Sequence, residues 1–500
     1  MPLPQPLPFI RRAVLAAVVA VGGPVSAQTI SVTPEPPAAR DGAAASQWER
    51  LSLREAVQTG VAQNLDLMTE RLRLDRQRRL ERGVWAGYSP TVVLDADLVR
   101  LRSALDPQGR RTVHTHSAGI VWRTPVGTTL SAEGVMVRGL AGDGTAHQGG
   151  LVFGVSQPLL RGGWMTGAAL PLREADLQSA LQRESFRFAL NALMVDVETA
   201  YWDLALAAAD VEIKQRSLER AVSQFEDTQE NIRRGILAPS EIYVVEENVV
   251  FFRQEVVQSA ENHARARRRL AELLQLHSDE SIAVTDPLEG PELELPLEAQ
   301  VLSVGMDLHP LIVAQRHRLA LSEVRQRYAK NQSLPSLDLT GSLSLLGQDP
   351  RYGGALGAAV SDSSPEARVG LRFALPLDRG AERALVDGAI LDSERERVEV
   401  ANTERQVTFE IVNGLSELRT NVALLSLTEK QVELAELKLA AETEKYQSGL
   451  STLVDVVRFQ RDVDNAQIRL QRVRRQVRVG RVRLLAAQGD LHLRRGVEVP

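Results

Sequence analysis

Two carboxylates stand out by position: Glu241 lies six residues after Gly235, and Asp455 lies six residues after Gly449. Their chemistry is that of fixed negative charges, with Arg233, Arg234, Lys445 and Arg458 close enough in sequence to offset them. The other reactive residue types form no catalytic set. His114-Thr115-His116 offers two imidazoles but no third ligand, and its surroundings read as a surface loop. Arg265, Arg267-Arg268-Arg269 and the run from Arg472 to Arg483 are interleaved with apolar residues, which fits solvated or intersubunit helix faces better than a nucleic-acid surface. There is no phosphate-cradling glycine loop with its lysine, no paired-histidine zinc helix and no serine elbow. With no cysteine, thiolate sites, disulfides and a lipid-bearing N-terminal cysteine are all excluded. The expectation is a protein that is not an enzyme, carries no cofactor or metal, and takes its energy from partners.

The elements that position the two acids are tight helix-to-helix turns. In Arg233-Arg234-Gly235-Ile236-Leu237-Ala238-Pro239-Ser240-Glu241 and in Lys445-Tyr446-Gln447-Ser448-Gly449-Leu450-Ser451-Thr452, a helix ends at glycine, where a left-handed cap is cheap without a Cβ. A small hydroxyl residue follows each glycine (Ser240; Ser451 and Thr452) and can cap the next helix. The glycines are 214 residues apart, the first sign of a duplicated chain.

Composition agrees with long helices. Aromatic residues make up only 4%, while Ala, Leu, Arg, Glu and Gln are plentiful, and the net charge of −5 argues against nucleic-acid binding. Arg11-Arg12, the apolar run Ala13 to Val21 and the small residues Val25-Ser26-Ala27 predict an export signal over 1–27. No later stretch is apolar enough to cross a membrane as a helix, so any membrane entry must use strands.

The first repeat is placed at 28–280. After a Pro- and Ala-rich lead-in, the capping box Ser52-Leu53-Arg54-Glu55 opens a helix to about Trp85. Strands are predicted within 91–157, in segments of about 92–99, 116–123, 128–138 and 148–157, with a hairpin turn at Trp122 to Thr128. A long helix then covers 166–233 and a return helix 240–275. The segment 281–298, rich in Pro and Gly, is the linker. The second repeat, 299–500, has a helix to 332, strands within 337–375 separated by a Gly/Ser/Asp loop, a long helix 382–447 and a return helix 452–488.

Spacing supports the duplication. Asn64 to His309 and Pro90 to Pro335 are both 245 residues, while Pro158 to Pro376 and Gly162 to Gly380 are both 218. The difference of 27 is one additional hairpin in the first strand region, near 116–138. The long helices keep a seven-residue apolar step, through Leu190, Val197, Leu204, Val211, Leu218 and Phe225, and again through Ile411, Leu418, Leu425, Val432 and Leu439. A sustained heptad predicts coiled-coil pairing.

Short two-faced strands fit a transmembrane barrel, although a soluble sheet alternates in the same way. Four to six strands cannot close a barrel alone, and open edges in lipid leave backbone groups unsatisfied, so several copies must share one wall.

With these features in hand, the chain resembles the TolC family of outer-membrane efflux proteins. The likeness rests on Leu51-Ser52-Leu53-Arg54-Glu55-Ala56, Ser89-Pro90, Gln157-Pro158-Leu159-Leu160-Arg161-Gly162-Gly163, Leu334-Pro335-Ser336 and the two glycine turns. It implies an α+β membrane protein with an internal two-fold repeat: long antiparallel coiled-coil helices forming an α-barrel, and a β-barrel of four strands per chain shared between protomers of a homotrimer. It implies an outer-membrane exit duct for tripartite efflux or type I secretion, its helices in the periplasm, meeting an adaptor (membrane fusion protein) and an inner-membrane pump. A periplasmic coiled-coil adaptor or scaffold without a pore is the alternative.

The resemblance also assigns residues. Gly235, Leu237, Pro239, Ser240, Gly449, Leu450, Ser451 and Thr452 correspond to the periplasmic tip that contacts the adaptor. Asp455 matches a ring-forming acid of the constriction, Glu241 its first-repeat counterpart, and Tyr446 a gate tyrosine, with Arg234 nearby. Arg458 stands where the family has a second acid, and Ser451 where it has a basic gate residue, so the charge pattern departs from the family's. The plainer reading of each is a solvated side chain at a helix turn.

Overall fold

Ser52 starts the first helix through a reciprocal cap: its side chain accepts from the Glu55 N–H, and its own N–H donates to the Glu55 carboxylate at 2.9 Å. The computed structural model describes residues 50–102, 110–138, 147–163, 168–276, 282–290, 294–352, 354–361 and 364–498. The export signal expected over 1–27 and the lead-in after it lie outside the described residues.

The helix expected to run to Trp85 is two helices, α1 (Leu53–Gln63) and α2 (Leu65–Ala86), broken at an extended Asn64. The Asn64 side chain accepts from the Leu67 N–H at 3.0 Å and so restarts the helix. The second half does the same: α5 (Glu298–Leu308) and α6 (Pro310–Gln332) are separated by His309, whose Nδ1 accepts from the Leu311 N–H at 3.3 Å. A single polar residue within a continuing helical pattern gives no periodicity signal, which hid both breaks.

Six strands follow the predicted segments: β1 (Thr91–Arg102), β2 (Arg110–Arg123), β3 (Thr129–Arg138), β4 (His147–Pro158), β5 (Ser336–Asp349) and β6 (Ser364–Ala374). They form one antiparallel sheet in chain order, and the two halves of the chain meet where Phe153 faces Leu343. His114 and His116 sit inside β2, not in a loop, and the His116 ring meets Tyr352 edge-on at 6.3 Å. The Gly/Ser/Asp segment after β5 contains a helix, α7 (Gly354–Ser361), pressed onto β4 and β5. That approach needs glycine beneath it, because a Cβ at Gly149 would lie 2.5 Å from Ala355 and one at Gly347 only 2.2 Å from Ala359.

The long helices are α3 (Leu170–Arg233), α4 (Glu241–Leu274), α8 (Gly380–Gln447) and α9 (Leu453–Gln488); a short α10 (Leu491–Arg494) follows. At 1.5 Å per residue, α3 and α8 each extend about 100 Å. α3 packs along α4 and α8 along α9. Heptad positions Leu190, Val197, Leu204, Ile411 and Leu418 are buried, whereas those nearer the turns (Val211, Leu218, Phe225, Leu425, Val432, Leu439) are half-buried.

The main core surrounds Tyr201, Leu190, Leu204, Leu270 and Leu274 on α3 and α4. The segment after α4 is pinned there: Val284 bridges Leu51, and the Tyr201 hydroxyl lies 2.7 Å from the Asp286 carboxylate. Burial pushes the Tyr201 hydroxyl up to about 12, so it remains protonated. Among the described residues no helix is long and apolar enough to cross a membrane.

Candidate functional site

Both helix turns close with the same backbone motif. Gly235 (φ +73°) and Gly449 (φ +71°) occupy the left-handed region that a side chain would strain. Ile236 N–H donates to Asn231 O at 2.9 Å and Gly235 N–H to Ile232 O at 3.0 Å. Leu450 N–H to Lys445 O (2.9 Å) and Gly449 N–H to Tyr446 O (3.0 Å) repeat the pattern. This is a Schellman cap, twice. The apolar residue after each glycine stays in solvent: Ile236 is 66% exposed and Leu450 80% exposed.

Beyond the glycines the turns diverge. Ser240 makes no capping bond, contrary to expectation, because its own backbone is already helical (φ −68°, ψ −21°) and its side chain is not placed to receive the next N–H groups. Thr452 is extended and caps α9: its hydroxyl accepts from the Asp455 N–H at 3.3 Å and donates to the Asp455 carboxylate at 2.6 Å. Ser451, at the expected gate position, donates to Glu442 at 2.5 Å across the turn. That bond, with help from Lys445 at 3.1 Å, holds the Glu442 carboxyl below its ordinary range.

Of the residues singled out in sequence, Gly235, Pro239, Ser240, Gly449, Leu450, Thr452, Arg234 and Arg458 are exposed, while Leu237, Glu241, Tyr446, Ser451 and Asp455 are half-buried. The fold brings Tyr446 of one turn within electrostatic range of Glu241 of the other; burial first, then that carboxylate, raises the Tyr446 hydroxyl. The nearby cations do not offset the two acids. Arg233 and Arg234 pair with Glu230, Lys445 pairs with Glu442, and the Arg458 guanidinium lies 5.7 Å from the Phe459 ring. Among the described residues, Glu241 and Asp455 have no ion-pair partner, so both carboxylates stand without a direct cationic contact.

Sequence reasoning missed the links between the two helical pairs. Arg220 on α3 reaches the buried Asp464 on α9 at 2.6 Å. Arg461 on α9 bonds Asn248 on α4 at 3.1 Å and stacks over Phe251 at 4.4 Å. Single charges on heptad helices carry no spacing that marks a partner over 200 residues away. The arginine run after 472 also binds within the chain, contrary to expectation: Arg475 holds Asp203 at 2.8 Å, Arg474 holds Glu289 at 2.5 Å, and Arg478 lies over Trp202 at 4.9 Å.

A two-faced sheet set on about 100 Å of paired helix defines the fold class, one that solved outer-membrane channels share. The fold matches that of CusC, described in connection with transmembrane channel formation, at a TM-score of 0.65, 15% identity, and 87% of this chain against 91% of that one. It matches the outer-membrane channel OprN with the same TM-score, at 18% identity over 87% of this chain and 89% of that one. Residues 306–490 match the family model for outer membrane efflux proteins. That family match lies within the second half of the chain, while the likeness of fold to the solved channels extends over 87% of it. Nodulation protein T of Rhizobium leguminosarum bv. viciae is 26% identical over 304 residues, 59% of this chain; the match spans 60% of that relative's length.

Proposed function

We propose that three copies of this chain form a passive exit duct through the outer membrane, serving a tripartite efflux pump or a type I secretion system. In this reading the sheets close into one shared barrel in lipid. The long helices continue it as an α-barrel in the periplasm. The paired turns at the helix ends meet a periplasmic adaptor, and an inner-membrane pump supplies the energy. The chain is organised as repeats 28–280 and 299–500 joined by the linker 281–298. Support for the duplication comes from the matching breaks at Asn64 and His309 and the matching caps at Gly235 and Gly449.

The observation that carries the proposal is the outward apolar face of an open sheet. Val92 is 67% exposed, Leu94 64%, Val369 81% and Leu371 68%, on strands β1 and β6, whose outer edges have no partner among the described residues. Such a face is costly in water and natural in lipid. At the tips, exposed Ile236 and Leu450 supply an apolar contact for an adaptor. Glu241 and Asp455, repeated by threefold symmetry, would ring the constriction with carboxylates that favour cations; Tyr446, Arg234 and Arg458 complete the gate region.

Reconstitution of detergent-purified protein into planar bilayers tests this. A heat-modifiable trimer that conducts ions supports the duct. Protein that leaves the cell envelope without detergent and forms no pore points to the periplasmic scaffold instead.

A further inference from the structure

The resemblance implies four barrel strands per chain, yet the sheet has six, and the two additional strands, β2 and β3, lie between β1 and β4. We propose that this hairpin is part of the membrane wall, so that three copies close an eighteen-stranded barrel through β1–β6 contacts between neighbours. This rests on the shared-barrel reading above and adds to it the strand count and the contacting edges.

Register carries the argument. Residues in direct cross-strand pairing share a face of the sheet. One row reads Val92, Ile120, Ala132, Phe153, Leu343, Ala367 across the six strands, and the next reads Leu94, Ala118, Gly134, Leu151, Leu345, Pro365. On the side nearer the helices, Trp122, Leu130, Val155, Gly341 and Val369 continue the same face. The apolar face therefore runs through the hairpin without interruption. Charged residues between these rows fall on the opposite face: Asp95, Glu133, Glu366 and Arg368. A hairpin that decorated an outer loop would have no reason to keep this alternation in step with its neighbours. The eight steps from Leu337 to Leu345 span about 27 Å along the strand, matching an apolar band of about 25 Å.

The hairpin is also anchored at the seam between sheet and helices. Trp122 Nε1 donates to Tyr88 O at 2.9 Å, and the Tyr88 hydroxyl donates to Ala168 O at 2.7 Å. Thr128 bonds Gln157, and a Cβ at Gly127 would lie 2.9 Å from Gly162 O. At 14 and 10 residues, β2 and β3 are long enough to cross the bilayer. The free edges then set the partner. Backbone groups on the outer sides of β1 and β6 cannot go unpaired in lipid, and a second copy of the chain offers the complementary antiparallel edge. Because barrel diameter grows roughly linearly with strand number, eighteen strands give a wall about 1.5 times as wide as twelve.

The chain has no cysteine, so single-cysteine variants report cleanly. Trimers of Ile120→Cys, Ala132→Cys, Ser131→Cys and Glu133→Cys in lipid vesicles would be treated with a charged, water-soluble maleimide, beside Leu343→Cys and Ser342→Cys in β5. The proposal expects Ile120→Cys and Ala132→Cys to label at least about tenfold more slowly than Ser131→Cys and Glu133→Cys, in step with Leu343→Cys against Ser342→Cys. Protected Leu343→Cys with freely labelled Ile120→Cys and Ala132→Cys would place the hairpin outside the wall and overturn the proposal while leaving the duct intact. Labelling of Leu343→Cys as fast as Ser342→Cys would instead remove the shared barrel itself.

Discussion

Arg220 and Asp464 join the two helical pairs at 2.6 Å, with the carboxylate almost fully buried and the guanidinium half open to solvent. Burial raises the Asp464 carboxyl, and Arg220, Lys214 and the Ser217 hydroxyl act against that rise. The two partners should therefore respond unequally. Arg220→Ala leaves a buried carboxylate with weaker compensation and is expected to cost about 2–3 kcal/mol, at or below the usual range for a broken buried pair because Arg220 itself is partly solvated. Asp464→Asn keeps the shape and frees only a guanidinium that can turn to water, so its cost should stay below about 1 kcal/mol. Thermal melts of both variants decide the order. Since the pair ties α9 to α3, Arg220→Ala should also raise the open fraction in single-channel records.

The two turns invite a paired comparison. Thr452 caps α9 and Ser240 caps nothing. Thr452→Ala should lower stability by about 1 kcal/mol, while Ser240→Ala should change it by no more than a few tenths. Chemical denaturation of the two variants side by side tests this, and equal losses would contradict the cap assignment.

Where the sequence was legible, the cause is repetition of a physical pattern. Period-two stretches located the strands to within a few residues, except that β2 begins earlier than 116, and the seven-residue step located α3 and α8. Gly235 and Gly449 could be read because a left-handed cap favours one residue type. Gln275 ends α4 in the same left-handed region (φ 54°) without glycine and left no trace in the sequence. It stands 214 residues before Gly489, which ends α9 at φ +77°, the same offset that separates the two turn glycines. The helix breaks at Asn64 and His309 were also illegible, since a single polar residue leaves no periodic mark, as were α7 and the Arg220–Asp464 pair, which depend on partners distant in sequence. Glu241 and Asp455 stood out by their spacing from the turn glycines, but the lack of a direct cationic contact at either could be seen only once Arg234 was placed on Glu230.

That lack has an electrical consequence. If Glu241 and Asp455 line the constriction, both Glu241→Gln and Asp455→Asn should move the cation-to-anion permeability ratio toward unity. Asp455→Asn keeps an oxygen that Thr452 can donate to, so its effect on selectivity should come without loss of the cap. Reversal potentials under a salt gradient measure the ratio, and an unchanged value in both variants would remove the acids from the conducting path.

His309 makes stability depend on pH. Its Nδ1 must be unprotonated to accept the Leu311 N–H that restarts α6. Burial, then the charge of Arg187, lowers its pKa from 6.5 to about 4. The unfolded chain therefore binds a proton at this site near pH 6.5 while the folded chain does not until about 4. Across that window the unfolded state holds more protons, so stability is full above pH 6.5 and falls as the pH drops toward 4. The loss attributable to this residue is about 3 kcal/mol at the acid end. His492, also lowered by burial and by Arg187, adds a dependence of the same sign. His309→Asn places at this break the residue that performs the same task at Asn64, accepting an N–H without titrating. Melting temperatures of the two proteins should converge as pH falls from 7 to 5 if Asn caps less well than neutral imidazole, and separate in favour of the variant if it caps equally well. A constant difference over that range would show that folding does not lower the His309 pKa.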